Sequence, residues 1–432
     1  MNKYFFKLHL ATLSVFLLFF TINKPATANW TKMDSGTTYC DLYDIWGSSA
    51  TDVYAVGQDW GNNAGIILHY DGSSWTEMDS GTTYCSLYDI WGSSATDVYA
   101  VGQDWENHVG IMLHYNGSSW SEMDSGTSTP LYALWGSAST DVFAVGYDYN
   151  NFTYTYKTTI RHYDGIAWSE MESGTTHTLR GIWGSSATDV FAVGGYYRDV
   201  PATILHYDGS AWSEMEIWTD RTIKSIWGSS ATDVYAVGQD WENNVGSILH
   251  YDGSSWSEMD SGTKNDISDI WGSSSTDIFI IDSYIVYDKA NPFCSNILHY
   301  NGSAWSEMDI GIKEKFNGIW GSSATDVFAV GNWGTIIHYD GSDATITTTT
   351  TTIVEDNCLI KNIYSKHLKE TKLLRDIRDE VLSKTPEGQE LIRLYYQLSP
   401  LVVKAMEKDE ELKEEVKEMI EGVLPLIRGE EE

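Results

Sequence analysis

The chain runs to 432 residues and holds 61 Asp and Glu against 27 Lys and Arg, a net charge of −34. So large an acidic excess repels phosphate backbones and anionic lipid, which removes nucleic-acid binding from the functions to consider and leaves cations, basic partners or neutral glycans. The length suits one large domain with a small appendix, and four cysteines are too few for a disulfide framework in a chain of this size.

In chain order, the first 28 residues carry three Lys and no acid. Lys3 and Lys7 precede an apolar run from Leu8 to Ile22, and Ala26-x-Ala28 closes the segment with small residues. This pattern predicts a secretory signal cleaved after Ala28, with the mature chain starting at Asn29. The apolar run is short for a membrane span, and no later segment is long and apolar enough to cross a bilayer. The expected location is secreted or on the outer surface of a bacterial cell. The membrane is then met only through the signal or through processing of the tail.

From residue 29 to 354 the chain holds 11 basic and 42 acidic residues and repeats one motif seven times. Ile90-Trp91-Gly92-Ser93-Ser94-Ala95-Thr96-Asp97-Val98-Tyr99-Ala100-Val101-Gly102 is a representative copy. The Trp-Gly pairs begin at Trp46, Trp91, Trp135, Trp183, Trp227, Trp271 and Trp320, spaced 45, 44, 48, 44, 44 and 49 residues apart. A period in the forties marks one supersecondary unit copied in series. Within residues 75–115, four short segments read as strands: Trp75–Met78, Ser86–Trp91, Asp97–Gly102 and Gly110–Tyr115. Asp-Gly or Asn-Gly follows the last of them in every copy, and both residue types accept the positive φ of a tight hairpin.

Seven four-stranded units predict an all-β, seven-bladed β-propeller over residues 29–343. The ends support closure. The last copy lacks its Trp-x-x-Met segment, and that segment stands alone at Trp30–Met33 near the start. The N-terminal strand is therefore expected to complete the last blade and remove an open edge. An open solenoid would not need a strand donated from the far end. Cys40 and Cys85 occupy one repeat position in neighbouring units, too far apart to bridge unless they lie near the axis.

The motif Ile-Trp-Gly-Ser-Ser-x-x-Asp-Val-x-Ala-Val-Gly, followed by Ile-Leu-His-Tyr-Asp-Gly-x-x-Trp, resembles bacterial propeller repeats of the Asp-box and photosystem-assembly-factor type. His69-Tyr70-Asp71-Gly72-Ser73-Ser74-Trp75 keeps the Asp, Gly and Trp of the Asp-box and is one residue shorter. The resemblance implies a blade corner and carries no chemistry of its own.

One histidine recurs per copy: His69, His114, His162, His206, His250, His299 and His338. One aspartate does likewise: Asp52, Asp97, Asp141, Asp189, Asp233, Asp277 and Asp326. A residue needed once for chemistry need not appear seven times, whereas one needed to build a blade must. A His–Asp bond inside each blade is the expectation, against a metal-binding or pH-sensing ring. No catalytic residue is assigned, because near-identical blades supply copies of the same groups. Zinc-type Cys/His spacing, a phosphate loop and a nucleophile elbow are all missing. No cofactor or metal is implied; calcium is left open without a motif to support it.

Sequence variation concentrates between the third and fourth of these segments in each copy, in a region rich in Trp, Tyr, Asp and Asn. Trp60, Trp105, Tyr147, Tyr149, Tyr196, Tyr197, Trp241 and Trp333 are the candidate binding residues. These loops should gather on one face, where aromatic rings and amides suit a glycan or a peptide. The reading is a monomeric binding propeller with a glycan or protein ligand at the cell surface. A carbohydrate-active propeller, lectin or glycosidase, is the alternative.

Thr345 to Thr352 forms part of a linker, placed at 344–357, and from Leu359 the chain turns Leu-, Lys- and Glu-rich with helical spacing. Cys358-Leu359-Ile360, Leu374-Arg375-x-Ile377-Arg378-Asp379, Tyr395-Tyr396 and Ser399-Pro400 resemble a bacterial C-terminal sorting domain headed by a Cys-Phe-Ile box. The resemblance implies a small helical domain over 358–432, with Cys358 as its processed or modified residue.

Overall fold

The computed structural model describes residues 28–343, apart from 151–154, 196–201, 218–220, 241–242, 244 and 286–292. The expected signal segment before residue 28, the linker and the helical tail with Cys358 lie outside the described residues. So do Tyr196, Tyr197 and Trp241.

Seven four-stranded antiparallel sheets form the blades of a β-propeller. In blade one, Cys40–Ser49 is the inner strand, followed outward by Asp52–Asp59, Ala64–Tyr70 and Trp75–Met78. The inner strands of blades two to seven are Cys85–Ser94, Leu131–Ala138, Leu179–Ser186, Arg221–Ser230, Asp266–Ser274 and Phe316–Ser323. Each inner strand packs beside its neighbours, so the seven surround a central channel. Ala28–Met33 pairs antiparallel with Ile336–Asp343 and supplies the outer strand of blade seven. Trp30 lies over Tyr339, with ring centroids 5.7 Å apart.

Burial follows from each strand's place in the blade. The second strand is apolar on both faces because each blade is sandwiched between two others: Val98, Tyr99, Ala100 and Val101 are all buried. The core is divided into clusters that each join two adjacent blades; Phe328 and Val330 of blade seven share one with Leu42 and Ile66 of blade one. Cys40, Cys85 and Cys294 are buried free thiols.

The Trp-Gly pair has a direct packing cause. A Cβ on Gly92 would sit 2.5 Å from Cη2 of Trp46, one blade back, and a Cβ on Gly136 would meet Trp91 at 2.6 Å. The same contact closes the ring, with Gly47 of blade one beneath Trp320 of blade seven at 2.6 Å. Each tryptophan needs the missing side chain of the next blade.

The hairpin after the third strand differs from the sequence expectation. Only the glycine takes positive φ, as at Gly72 (88°) and Gly117 (86°). Asp71 instead accepts the backbone N–H groups of Ser73 and Ser74, both at 2.9 Å. Asn116 accepts the corresponding Ser118 N–H at 3.0 Å. Asp and Asn interchange because each offers a side-chain oxygen to an Asx-type turn.

Candidate functional site

The two faces of the disc differ in kind. One carries the inner-to-second turns and the third-to-outer hairpins. There His114 Nε2 lies 2.8 Å from Asp97 Oδ1, and Ser93 Oγ donates to Asp97 Oδ2 at 2.5 Å. The His114 ring stacks on Tyr99 with centroids 4.5 Å apart. Equivalent His–Asp contacts of 2.6–2.8 Å occur in all seven blades. Each ties the start of the second strand to the end of the third, and the seven copies provide no asymmetric site.

The opposite face carries the second-to-third hairpins and the connections between blades. Here every inner strand has a register shift at the same place: Leu42 pairs with Gly57 and Asp44 with Val56, leaving Tyr43 as an extra residue. The same shift leaves Tyr88, Tyr132, Arg180, Lys224, Ser268 and Asn317 as the extra residues of blades two to seven. A bulge re-aims the side chain of the residue it leaves over. All seven of these residues line one channel cavity of about 260 Å³.

Around this mouth the residues segregate by chemistry. Tyr88 and Tyr132 stack with centroids 5.1 Å apart and planes 8° from parallel, and Tyr43 continues the arc 5.9 Å from Tyr88. Tyr147 stacks on the other side of Tyr132 at 4.5 Å. Arg180 lies over Tyr147 at 5.3 Å and over Tyr132 at 6.0 Å, and it donates to the Tyr147 hydroxyl. Lys224 pairs with Asp266, and Asn317 donates to the Leu42 carbonyl at 2.7 Å. Burial raises the phenols of Tyr43, Tyr88 and Tyr132, so they act as neutral hydroxyls.

One residue deeper stand Asp44, Asp89, Ala133, Gly181, Ser225, Asp269 and Gly318. Asp44 accepts the Ile90 N–H at 3.0 Å, Asp89 the Leu134 N–H at 2.8 Å and Asp269 the Ile319 N–H at 2.9 Å. Ser225 Oγ donates to Asp269 at 2.7 Å. Enclosure by the channel wall pushes all three carboxyls up, Asp89 to about 6 and Asp269 to about 7. Asp44 is raised well above its ordinary value, first by burial and then by repulsion from Asp89.

The residues singled out from sequence divide. Trp60 and Trp333 are exposed, and Trp105 is half-buried and stacked on Trp60 with centroids 6.2 Å apart. Tyr147 is not at a loop tip: Asp141–Asn150 and Thr155–Tyr163 form one long hairpin, and Tyr147 is buried against Tyr132. Tyr149 belongs to the same hairpin. Tyr147–Asn150 pair with Thr155–Thr158, so removing the stretch from Tyr147 to Lys157 would take part of that ladder with it. Arg180 and Lys224 were not read as site residues. The signal was present: aligned on the Trp-Gly pairs, the position three before Trp is the one inner-strand position that runs through Tyr, Arg, Lys, Ser and Asn.

No protein-family model matches the sequence, and no curated protein matches it. Solved structures do. YCF48 bound to D1 peptide superposes with a TM-score of 0.53 at 15% identity, covering 75% of this chain and 97% of that one. The WD40 propeller domain of Doa1 gives 0.53 at 10% identity, over 73% and 98%. The GH74 xyloglucanase from Xanthomonas campestris gives 0.51 at 9% identity, over 73% of this chain and 54% of the enzyme. At these identities the likeness is one of fold, and it spans enzymes and non-enzymes alike.

Proposed function

We propose that the chain is a non-catalytic binding propeller that recognises a polypeptide segment on the face bearing the bulged inner-strand residues and the aromatic hairpins. One observation carries this reading: the blades differ from one another on this face and repeat one another on the other. Three tyrosines, an arginine and a lysine converge on the channel mouth, where a ligand meets seven side chains of five kinds at once. Stacked phenols with hydroxyl and cationic donors suit the mixed apolar and polar surface of a peptide. That YCF48, a protein of the same fold, was captured with a peptide supports the choice.

The N-terminal segment supports a secreted or surface-displayed chain, exported by residues 1–28. The resemblance around Cys358 supports a tail that sorts or anchors it. A monomeric propeller that needs no cofactor completes the proposal.

The carbohydrate-active alternative gains the channel carboxyls Asp44, Asp89 and Asp269. A glycosidase holds its two carboxyls about 5–10 Å apart, with the scissile bond between them. Asp44 and Asp89 instead lie close enough to repel one another, and each accepts a backbone N–H of the next blade. They are committed to the fold.

The test is a peptide-array screen with the full chain, repeated with Tyr88→Ala and Lys224→Ala and with His206→Gln on the opposite face. Binding weakened by the first two and untouched by the third is the expected result. No peptide binding from folded protein, or hydrolysis of a glycan abolished by Asp44→Asn, would sink the proposal.

A further inference from the structure

Among the described residues, several aromatic side chains of the binding face gather in one sector. Among the described residues the exposed large apolar side chains are Tyr39, Trp60, Tyr84, Ile166, Phe293 and Trp333. Tyr39 and Trp60 belong to blade one, Tyr84 leads into blade two and Trp333 belongs to blade seven. With Trp105 of blade two they make one arc over three adjacent blades. We propose that this arc is a cation-recognition surface that takes the Lys and Arg side chains of a basic polypeptide segment, a proposal that rests on the polypeptide-binding reading above.

The arc is built, not merely exposed. The Trp60 N–H donates to the Tyr39 carbonyl at 3.0 Å, and the Trp105 N–H to the Tyr84 carbonyl at 2.7 Å. One carboxylate joins blades seven and one: Asp41 accepts the Trp60 indole N–H and the Trp333 backbone N–H, each at 3.1 Å. Tyr39 meets Trp333 edge to face, with centroids 6.4 Å apart.

Its backbone is also strained. The non-glycine residues with positive φ among those described are Asn63, Tyr84, His108 and Trp333, and all four lie in this sector. The left-handed region costs an L-residue energy, and bulky aromatics rarely occupy it. Tyr84 (54°) and Trp333 (59°) do so while pointing more than half of their surface at solvent, so packing does not repay the strain. Strain kept at an exposed aromatic residue points to use.

Charge selects the ligand. Asp41, Asp59 and Asp104 stand among the rings, and no Lys or Arg among the described residues forms an ion pair with them. Asp59 accepts from Gly61 N–H and the Asn62 amide, and Asp104 from Asn107. These neutral donors order the loops and leave the carboxylates without a salt-bridge partner among the described residues; Lys315 acts on Asp41, and His108 on Asp104, only by attraction through space. The faces of aromatic rings attract cations, indole most strongly, and nearby carboxylates add to that attraction. The face already shows such contacts outside the arc: Arg180 lies over Tyr147 at 5.3 Å, and Lys315 places its ammonium 6.0 Å from the Phe293 ring centroid. The mouth cations Arg180 and Lys224 lie on blades four and five, away from the arc.

The experiment titrates the full chain with three synthetic peptides of one length, rich in Lys and Arg, in Gln or in Glu, and with a neutral glucan oligosaccharide. Indole fluorescence and calorimetry report binding. The basic peptide should bind saturably, and Trp60→Ala/Trp105→Ala should weaken it about tenfold or more, with Trp60→Phe/Trp105→Phe retaining part of the affinity. His206→Gln should change nothing, and equal melting temperatures certify the fold of each variant. Tryptophan-dependent binding of the acidic peptide or the oligosaccharide instead would overturn the cation assignment while leaving the face a binding face. Basic-peptide binding indifferent to the tryptophans would reduce the effect to net charge and overturn it too. No binding of any peptide would remove both this proposal and the broader reading.

Discussion

The Asp44 carboxylate accepts the backbone N–H of Ile90 at 3.0 Å, across the boundary between the first two blades. The bulge beside the channel takes that N–H out of the strand ladder, and an unpaired buried donor is costly. Asp44 and Asp89 share it as acceptors, Asp89 Oδ1 at 2.7 Å. They do so in a confined channel shared with Asp269, where ionised carboxylates repel.

Stability should therefore fall as pH rises through the neutral range. Asp89 is raised to about 6 and Asp269 to about 7, from an ordinary value of 3.8. Between about pH 4 and 7 the folded state holds protons that the unfolded chain has released, and this protonated form is the more stable one. The hairpin carboxylates act in another window. Asp71, Asp208 and Asp252 are lowered to about 2 by serine hydroxyls and backbone N–H groups, so their contribution is lost only as pH falls below about 4. Melting temperature measured from pH 5 to 8 should decline, and Asp44→Asn, whose amide oxygen still accepts from Ile90, should flatten the slope. A flat or rising wild-type profile would refute the account.

The Trp46 ring over Gly92 gives a second prediction. Gly92→Ala places a Cβ 2.5 Å from Trp46 Cη2 and 2.9 Å from the Asp97 carbonyl, and Trp46 is itself stacked on Tyr54. Overpacking of this kind costs about 1–3 kcal/mol. The cost should shrink in a Trp46→Leu background, because the ring that clashes is gone. Denaturant unfolding of the four proteins in this cycle measures the coupling. Equal effects of Gly92→Ala in both backgrounds would show that the ring is not the cause.

These two cases show what the sequence made legible. Seven Trp-Gly pairs at a regular period specified blade number, strand order and the closing strand at Trp30, because a structural contact copied seven times is written seven times. The channel mouth escaped notice for the converse reason. Tyr43, Tyr132, Arg180 and Lys224 share the position three before Trp but not one residue type, so no repeated motif marks them; the bulge at that position is what turns it toward the channel. Tyr147 was read as a loop residue because its blade's second and third strands run longer than those of its neighbours. The Asp-Gly turns were placed correctly and explained wrongly, since Asp71 acts through its side-chain oxygen and not through its own φ.

Ring closure by the N-terminal strand yields a third prediction. Trp30 is 9% exposed and packs with Phe316 and Ile337 in the core between blades six and seven. Trp30→Ala should cost about 3–5 kcal/mol. Its consequence should exceed that of Trp212→Ala, a similarly buried outer-strand tryptophan, because no hairpin joins Ala28–Met33 to Ile336–Asp343, the strand it pairs with. Hydrogen exchange of the amides in Ile336–Asp343 should accelerate in Trp30→Ala and not in Trp212→Ala. Equal exchange in both variants would mean that the closing strand is no weaker than an internal one.

The last prediction separates the two faces. Asp189 accepts from Ser185 Oγ at 2.5 Å and contacts His206 Nε2 at 2.7 Å, while the His206 ring stacks on Phe191 with centroids 4.5 Å apart. Asp189→Ala strips both polar partners at once, a loss of about 1–3 kcal/mol where the groups are partly buried. Asp189→Asn keeps an acceptor for Ser185 and should cost less. Neither change lies on the face that varies between blades, so ligand affinity measured well below the melting temperature should match the wild type in both. If Asp189→Ala abolished binding while the protein stayed folded, the repeated His–Asp pairs would have a role in recognition, and the assignment of recognition to the opposite face would fail.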